Sequence, residues 1–97
     1  MITGKQRAYL KKLAHDLEPQ VLIGKAGITD NLIEQINQTL VKRELIKIKI
    51  LNNNMQDRQE LLDELIDRLQ AEFVQEMGSR IVLYRKNPDE NILQLPK

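Results

Sequence analysis

Two aliphatic runs and the helical segment between them constrain this chain more than anything else in it. Gln20-Val-Leu-Ile-Gly24 is short, aliphatic and closed by a turn residue, so it predicts a buried strand. Residues 45–51, Leu-Ile-Lys-Ile-Lys-Ile-Leu, alternate at their centre. Ile46, Ile48 and Ile50 point one way, and Lys47 and Lys49 the other. That pattern predicts a strand with one packed face and one partly wet, basic face. Between the runs, Thr29 is a good helix N-cap, and Ile28 and Ile33 are spaced for a hydrophobic staple. Leu32, Ile33, Ile36, Leu40 and Val41 supply an apolar face. Asp30 and Glu34 suit the positive end of the helix dipole, and Lys42 and Arg43 the negative end. A strand, a helix and a second strand in this order imply a right-handed crossover in a partly parallel sheet.

The flanking segments extend the pattern. Thr3 and Gln6 have capping-box spacing, and Ala8 or Tyr9, Leu10, Leu13, Ala14 and Leu17 follow as an apolar stripe. Pro19 ends or follows that helix. Asn52-Asn-Asn54 marks a loop, and Leu61, Leu62, Leu65, Ile66 and Leu69 predict a helix over about 56–71. Residues 72–77 fit either an extension of that helix or a short separate element. Gly78 marks a helix end or a turn, and residues 80–85 read as a strand. Asn87-Pro-Asp-Glu90 is turn-like, and Ile92-Leu-Gln-Leu95 can return antiparallel. The expected fold is a compact α-β-α-β-α-β-β domain with a four-stranded mixed sheet, one domain over residues 1–97.

Composition narrows the function. The 97 residues contain no cysteine, which excludes a disulfide scaffold, a thiol nucleophile and any cysteine metal site. No apolar run approaches the roughly 20 residues that span a bilayer. Met1-Ile-Thr-Gly-Lys-Gln-Arg7 is followed by no hydrophobic segment, so the expectation is a cytoplasmic protein without a membrane partner. The net charge of +1 conceals an asymmetry. Residues 1–49 carry nine Lys/Arg against five Asp/Glu, and residues 50–97 carry six against nine. Lys5, Arg7, Lys11 and Lys12 fall in the first twelve residues with no acid among them. Seven acids fall between Asp57 and Glu76. A basic face suits a polyanionic partner, although the same charges also serve plain solubility.

Gly24-Lys25-Ala26-Gly27 lies between the first predicted strand and the capped helix. Glycines there let another chain approach closely, and the helix amides can receive phosphate oxygens. Lys25 adds a mobile charge. The G-x-x-G spacing is neither a P-loop nor a dinucleotide fingerprint, and a tight turn alone would explain it.

With Leu10-Lys-Lys-Leu-Ala-His15, Leu17-Glu-Pro-Gln-Val-Leu-Ile-Gly-Lys-Ala-Gly-Ile28 and Gly78-Ser-Arg-Ile-Val-Leu-Tyr-Arg85 in this order, the chain resembles a stand-alone bacterial member of the CRM-domain family, named for chloroplast RNA splicing and ribosome maturation. The resemblance covers nearly the whole chain. It implies a fold like the C-terminal domain of translation initiation factor three and a glycine loop like that of KH domains. It also implies an RNA-binding protein associated with precursors of the large ribosomal subunit. Carried over, the loop role falls on Gly24, Lys25, Ala26 and Gly27, and the basic surface involves Lys5, Arg7, Lys11 and Lys12. Ser79-Arg80 departs from the family's basic residue followed by threonine, so the resemblance assigns Arg80 no contact. Lys86-Asn87-Pro88 stands where many relatives turn sooner.

Other residues stay open. Arg85 either reaches the RNA or pairs with a carboxylate to tie down the hairpin, and Tyr84 either stacks on a base or packs in the core. His15, the single histidine, either contacts RNA or sits at a helix surface, and it has no companions for a metal site. Acids at i,i+3 and i,i+4 between Glu60 and Asp67 read as a solvated helix face. With no Ser/His/Asp arrangement, the expectation is a non-enzymatic protein without cofactor, metal or catalytic residues. The resemblance implies that it binds structured RNA, above all ribosomal RNA of large-subunit precursors, with ribosomal proteins as possible further partners. The few aromatics argue against a base-stacking sheet platform. The alternatives are a protein-interaction adaptor working through the acidic helix, or an RNA-processing enzyme.

Overall fold

A computed structural model describes residues 2–97. Thr3 caps the first helix, α1 (Gly4–His15), through the expected reciprocal box: the Gln6 N–H donates to Thr3 Oγ1 at 3.1 Å and the Thr3 N–H to Gln6 Oε1 at 3.0 Å. Strand β1 (Val21–Ile23) leads through the glycine turn into α2 (Asp30–Arg43), which Thr29 caps by accepting the Leu32 N–H at 3.1 Å. Strand β2 (Leu45–Ile50) then pairs with β1 in parallel, as the strand–helix–strand pattern predicts. Helix α3 (Arg58–Leu69) ends two residues before the predicted boundary, where Gln70 turns left-handed at φ 51°. Strands β3 (Glu72–Met77) and β4 (Arg80–Tyr84) complete a sheet of order β1-β2-β4-β3, with β4 antiparallel to both neighbours. None of the described helices is long and apolar enough to cross a membrane.

The fold class is the expected one, but the closing hairpin is assigned differently. Residues 72–77 are its first strand, and Gly78 turns it at φ 60°. The expected strand at 92–95 does not form. With β2 on one side of β4 and β3 on the other, no edge of β4 is left for it. The irregular register of β3 explains the ambiguity of its sequence. Phe73 faces Leu83 and Gln75 faces Val82, leaving Val74 as a bulged extra residue. Phe73 packs against one core cluster, but Val74 belongs to the other and Gln75, opposite Val82, faces that same side, which breaks the period-two pattern.

The sheet separates two cores. Ile46, Ile48, Ile50, Ile81 and Leu83 pack against α2 and α3 on one face. Leu45, Val74, Val82 and Tyr84 pack with Leu10 and Ala14 of α1 on the other. Tyr84 is thus a core residue. Burial, followed by the Glu44 and Glu72 carboxylates, pushes its phenol above the ordinary 10.0. Its contribution to stability is complete below the unfolded value and is lost as pH rises through the raised folded value. Melting midpoints are expected to fall between about pH 9 and about pH 11, and less steeply in Tyr84→Phe. Equal pH profiles for the two proteins would contradict this.

The C-terminal segment lies as irregular chain on the α1 side, with Leu93 and Leu95 against the second core. Its anchor is Glu44, which is fully buried at the end of α2. The Glu44 carboxylate accepts the Asn87 N–H at 2.6 Å and the Leu93 N–H at 2.7 Å.

Candidate nucleic-acid interface

Three turns meet at one end of the sheet. Gly24–Gly27 leaves β1, Asn52–Asn54 follows β2, and Gly78-Ser79 joins β3 to β4. The first is closed by the Gly27 N–H donating to the Gly24 carbonyl at 3.0 Å. It is held from the second turn by Asn54, whose Nδ2 donates to the same carbonyl at 2.9 Å. Asn54 Oδ1 in turn accepts the Gln56 N–H at 3.1 Å. The loop is therefore a shaped turn with a fixed backbone. Lys25 and Ala26 form its exposed tip, and the Lys25 ammonium has no partner among the described residues.

The two glycines do different work. Gly27 has φ +70°, a region that costs an L-residue about 1 kcal/mol, and its missing Cβ faces nothing closer than 3.8 Å. Gly24 has an ordinary backbone, but a Cβ there would lie 3.4 Å from both Asn53 Oδ1 and Leu51 Cδ1. Gly27→Ala is expected to lower stability by roughly 1 kcal/mol, and Gly27→Asn by less, because asparagine tolerates this region. Urea unfolding of both variants measures the difference; equal stability of Gly27→Ala and the parent would refute it.

The structure distributes the expected basic residues unevenly. Lys5, Lys11 and Lys12 are exposed on α1, with ammonium groups free of partners among the described residues. Arg7 is half-buried and donates from Nε to the Phe73 carbonyl at 3.3 Å, so it fastens α1 to the edge strand. Arg85 lies beyond the far end of β4. Its guanidinium donates to Asn37 Oδ1 and the Leu69 carbonyl, each at 2.7 Å, and to the Asn37 carbonyl at 3.3 Å. Desolvation lowers its pKa. It ties β4 to α2 and α3 through an amide and carbonyls, rather than through a carboxylate. His15 is an exposed helix-end residue, 3.3 Å from Asp16.

Sequence reasoning passed over part of the surface. Lys47 was expected on a partly wet face, yet α1 covers it to 7% exposure, and its Nζ donates to the Leu17 carbonyl at 2.9 Å. Lys49 stands beside Arg80 in the ladder, and Leu22 beside Lys49, so these three side chains share the α1 face near the turns. The acids gather elsewhere. Asp30 and Glu64 both pair with Arg68, at 2.7 and 3.4 Å, and the hydrogen bond that Arg68 donates to Asp30 is the main influence raising the Arg68 pKa. Asp30 also occupies the first turn of α2, so that helix end does not present a purely positive field to the loop.

A four-stranded sheet with one helix on one face, two on the other, a fixed G-x-x-G turn at the strand ends and cations free on one side defines a class of small α/β binding domain. The chain belongs to the CRS1 / YhbY (CRM) domain family, whose model matches residues 2–85. It is 38% identical over 96 residues to the "Probable RNA-binding protein YqeI" of Bacillus subtilis, covering 99% of this chain and 100% of that protein. It is 34% identical to a Haemophilus influenzae "RNA-binding protein", covering 99% of this chain and 96% of the relative. The solution structure of SAV1595 from Staphylococcus aureus superposes with a TM-score of 0.80 at 47% identity, covering 99% of this chain and 100% of that one.

Proposed function

We propose that this protein binds structured RNA through the α1 cations and the Gly24–Gly27 turn, and acts as a non-enzymatic assembly factor on precursors of the large ribosomal subunit in the cytoplasm. The observation that carries the reading is charge segregation. Lys11 and Lys12 flank the α1 side of the sheet and Lys25 tips the turn at its end, all without an intramolecular partner among the described residues. The acids of α3 lie behind the opposite face. Unpartnered lysines lose little on meeting phosphates and release counterions when they do. The fixed turn offers a sugar–phosphate chain its exposed Lys25–Ala26 tip and the backbone at Gly27. Shape and phosphate contacts of this kind suit folded RNA. The ribosomal part rests on the family resemblance and on the RNA-binding relatives.

In-cell crosslinking, with bound fragments mapped to precursor and mature subunits, tests it. Enrichment on large-subunit precursor RNA is expected. Enrichment on messenger RNA, with none on ribosomal precursors, would overturn the ribosomal assignment and leave the RNA-binding surface in place.

A further inference from the structure

Between the C-terminal half of α1 and the uncovered part of the sheet runs a groove of about 430 Å³. That size falls within the range of small-ligand clefts, about 300–1,000 Å³. Val82, Met77 and Ala14 give it apolar walls, and Lys11, Lys12, Lys47 and Arg80 surround them with four cationic side chains. Its one carboxylate, Asp16, lies 3.3 Å from His15.

Two observations point to an anionic occupant with a flat apolar part. The first is Lys47. Its side chain is buried to 7% exposure, lines the groove and has a single protein acceptor among the described residues, the Leu17 carbonyl. An ammonium carries three donors, so two remain for an occupant of the groove. The second is Arg80, whose guanidinium lies at the open end with no partner among the described residues. The exposed Met77 stands directly beside Arg80 in the ladder. On the other side, Lys49 and Leu22 continue the same cross-strand row toward the glycine turn.

We infer that this groove receives one unpaired nucleotide of the bound RNA, its phosphate drawn to Lys47 and Arg80 and its base laid against Met77 and Val82. The inference rests on the RNA-binding reading and sharpens it. The Gly24–Gly27 turn and the exposed α1 lysines follow the backbone of folded RNA, and the groove adds a preference for a single-stranded nucleotide next to a helix. A paired base cannot enter, because its edges and both faces are already engaged within the duplex.

The test compares two RNAs with the same hairpin stem, one blunt and one carrying a short single-stranded tail, by fluorescence anisotropy at fixed salt. The parent is expected to bind the tailed RNA roughly tenfold more tightly than the blunt one, since apolar area buried between a base and Met77 and Val82, together with one charge contact, is worth about that factor. Arg80→Ala touches an exposed side chain without partners, so it should fold normally. It is expected to erase most of the preference while changing blunt-RNA affinity by about twofold or less. Lys47→Met, which keeps the buried stem, should do the same; an unchanged amide spectrum certifies its fold. Equal binding of the two RNAs by the parent, or a preference surviving both substitutions, overturns the groove and leaves the function standing. Binding of neither RNA overturns both. Uridine monophosphate alone shifting the Met77 and Val82 amides, with no preference for the tail, would make the groove a free-nucleotide site and overturn the inference.

Discussion

Replacing Lys5, Lys11, Lys12 and Lys25 together by alanine is expected to lower RNA affinity by roughly a hundred- to a thousandfold near 0.1 M salt, with the fold intact. All four ammonium groups are exposed and unpartnered among the described residues, so no internal contact is lost with them. Each phosphate contact releases condensed counterions, which makes log affinity linear in log salt with a slope of about 0.7–0.9 per contact. Removing four contacts should therefore reduce the magnitude of that slope by about 3. The salt series separates this surface from general loss of affinity, because a misfolded protein would not keep a well-defined, shallower line. Arg7 is left out because its guanidinium is engaged with the Phe73 carbonyl, and its removal would loosen α1. Unchanged affinity and slope in a low-salt titration would remove this face from the interface.

The largest effect on stability is expected at Glu44. Its backbone has φ 65° at the C-cap of α2, its own N–H donates to the Leu40 carbonyl at 2.8 Å, and its carbonyl accepts the Arg85 N–H at 2.8 Å. Its buried carboxylate takes the two backbone donors of the C-terminal segment. Glu44→Ala deletes the acceptor and leaves both N–H groups facing a gap, a loss of roughly 2–4 kcal/mol. For a chain of this size that corresponds to roughly 10–20 °C in melting temperature. Glu44→Gln keeps one acceptor oxygen and should fall between the two. Glu44→Gly loses the same bonds but relieves the positive φ, so it should be about 1 kcal/mol more stable than Glu44→Ala. The segment beyond Tyr84 should also become open to trypsin at Arg85 and Lys86 under native conditions. A Glu44→Ala protein with the parent's melting temperature and protease resistance would show that the tail is held without it.

Legibility in the sequence followed the range of the interactions. The capping box at Thr3 and Gln6, the Thr29 cap and the alternation of β2 were readable because each involves residues a few positions apart. The glycine turn was readable for the same reason. Its lock was not: Asn54 stands thirty positions from Gly24, and only the parallel pairing of β1 with β2 places their following loops side by side. Arg7 reads as a free cation in the sequence and Arg85 as either an RNA contact or a carboxylate partner, yet their partners are backbone carbonyls 66 and 16 residues away, together with Asn37. The closing hairpin is hard to place from sequence because the bulge at Val74 spoils the alternation of β3, while 92–95 alternates yet finds no free edge of β4 to join.

By itself, the sequence determined the element types from α1 to α3 and of β4, the helix caps at Thr3 and Thr29, the crossover pair, the G-x-x-G turn and the division of charge along the chain. Those features come from local backbone preference and from side-chain periodicity, which act over one or two turns of chain. Tertiary structure alone decided which cations remain free, which carboxylate holds the tail, and that Lys47 and Arg80 share a groove with Lys11 and Lys12. Such convergence depends on strand order and register, and these are settled only when the two faces of the sheet are buried together.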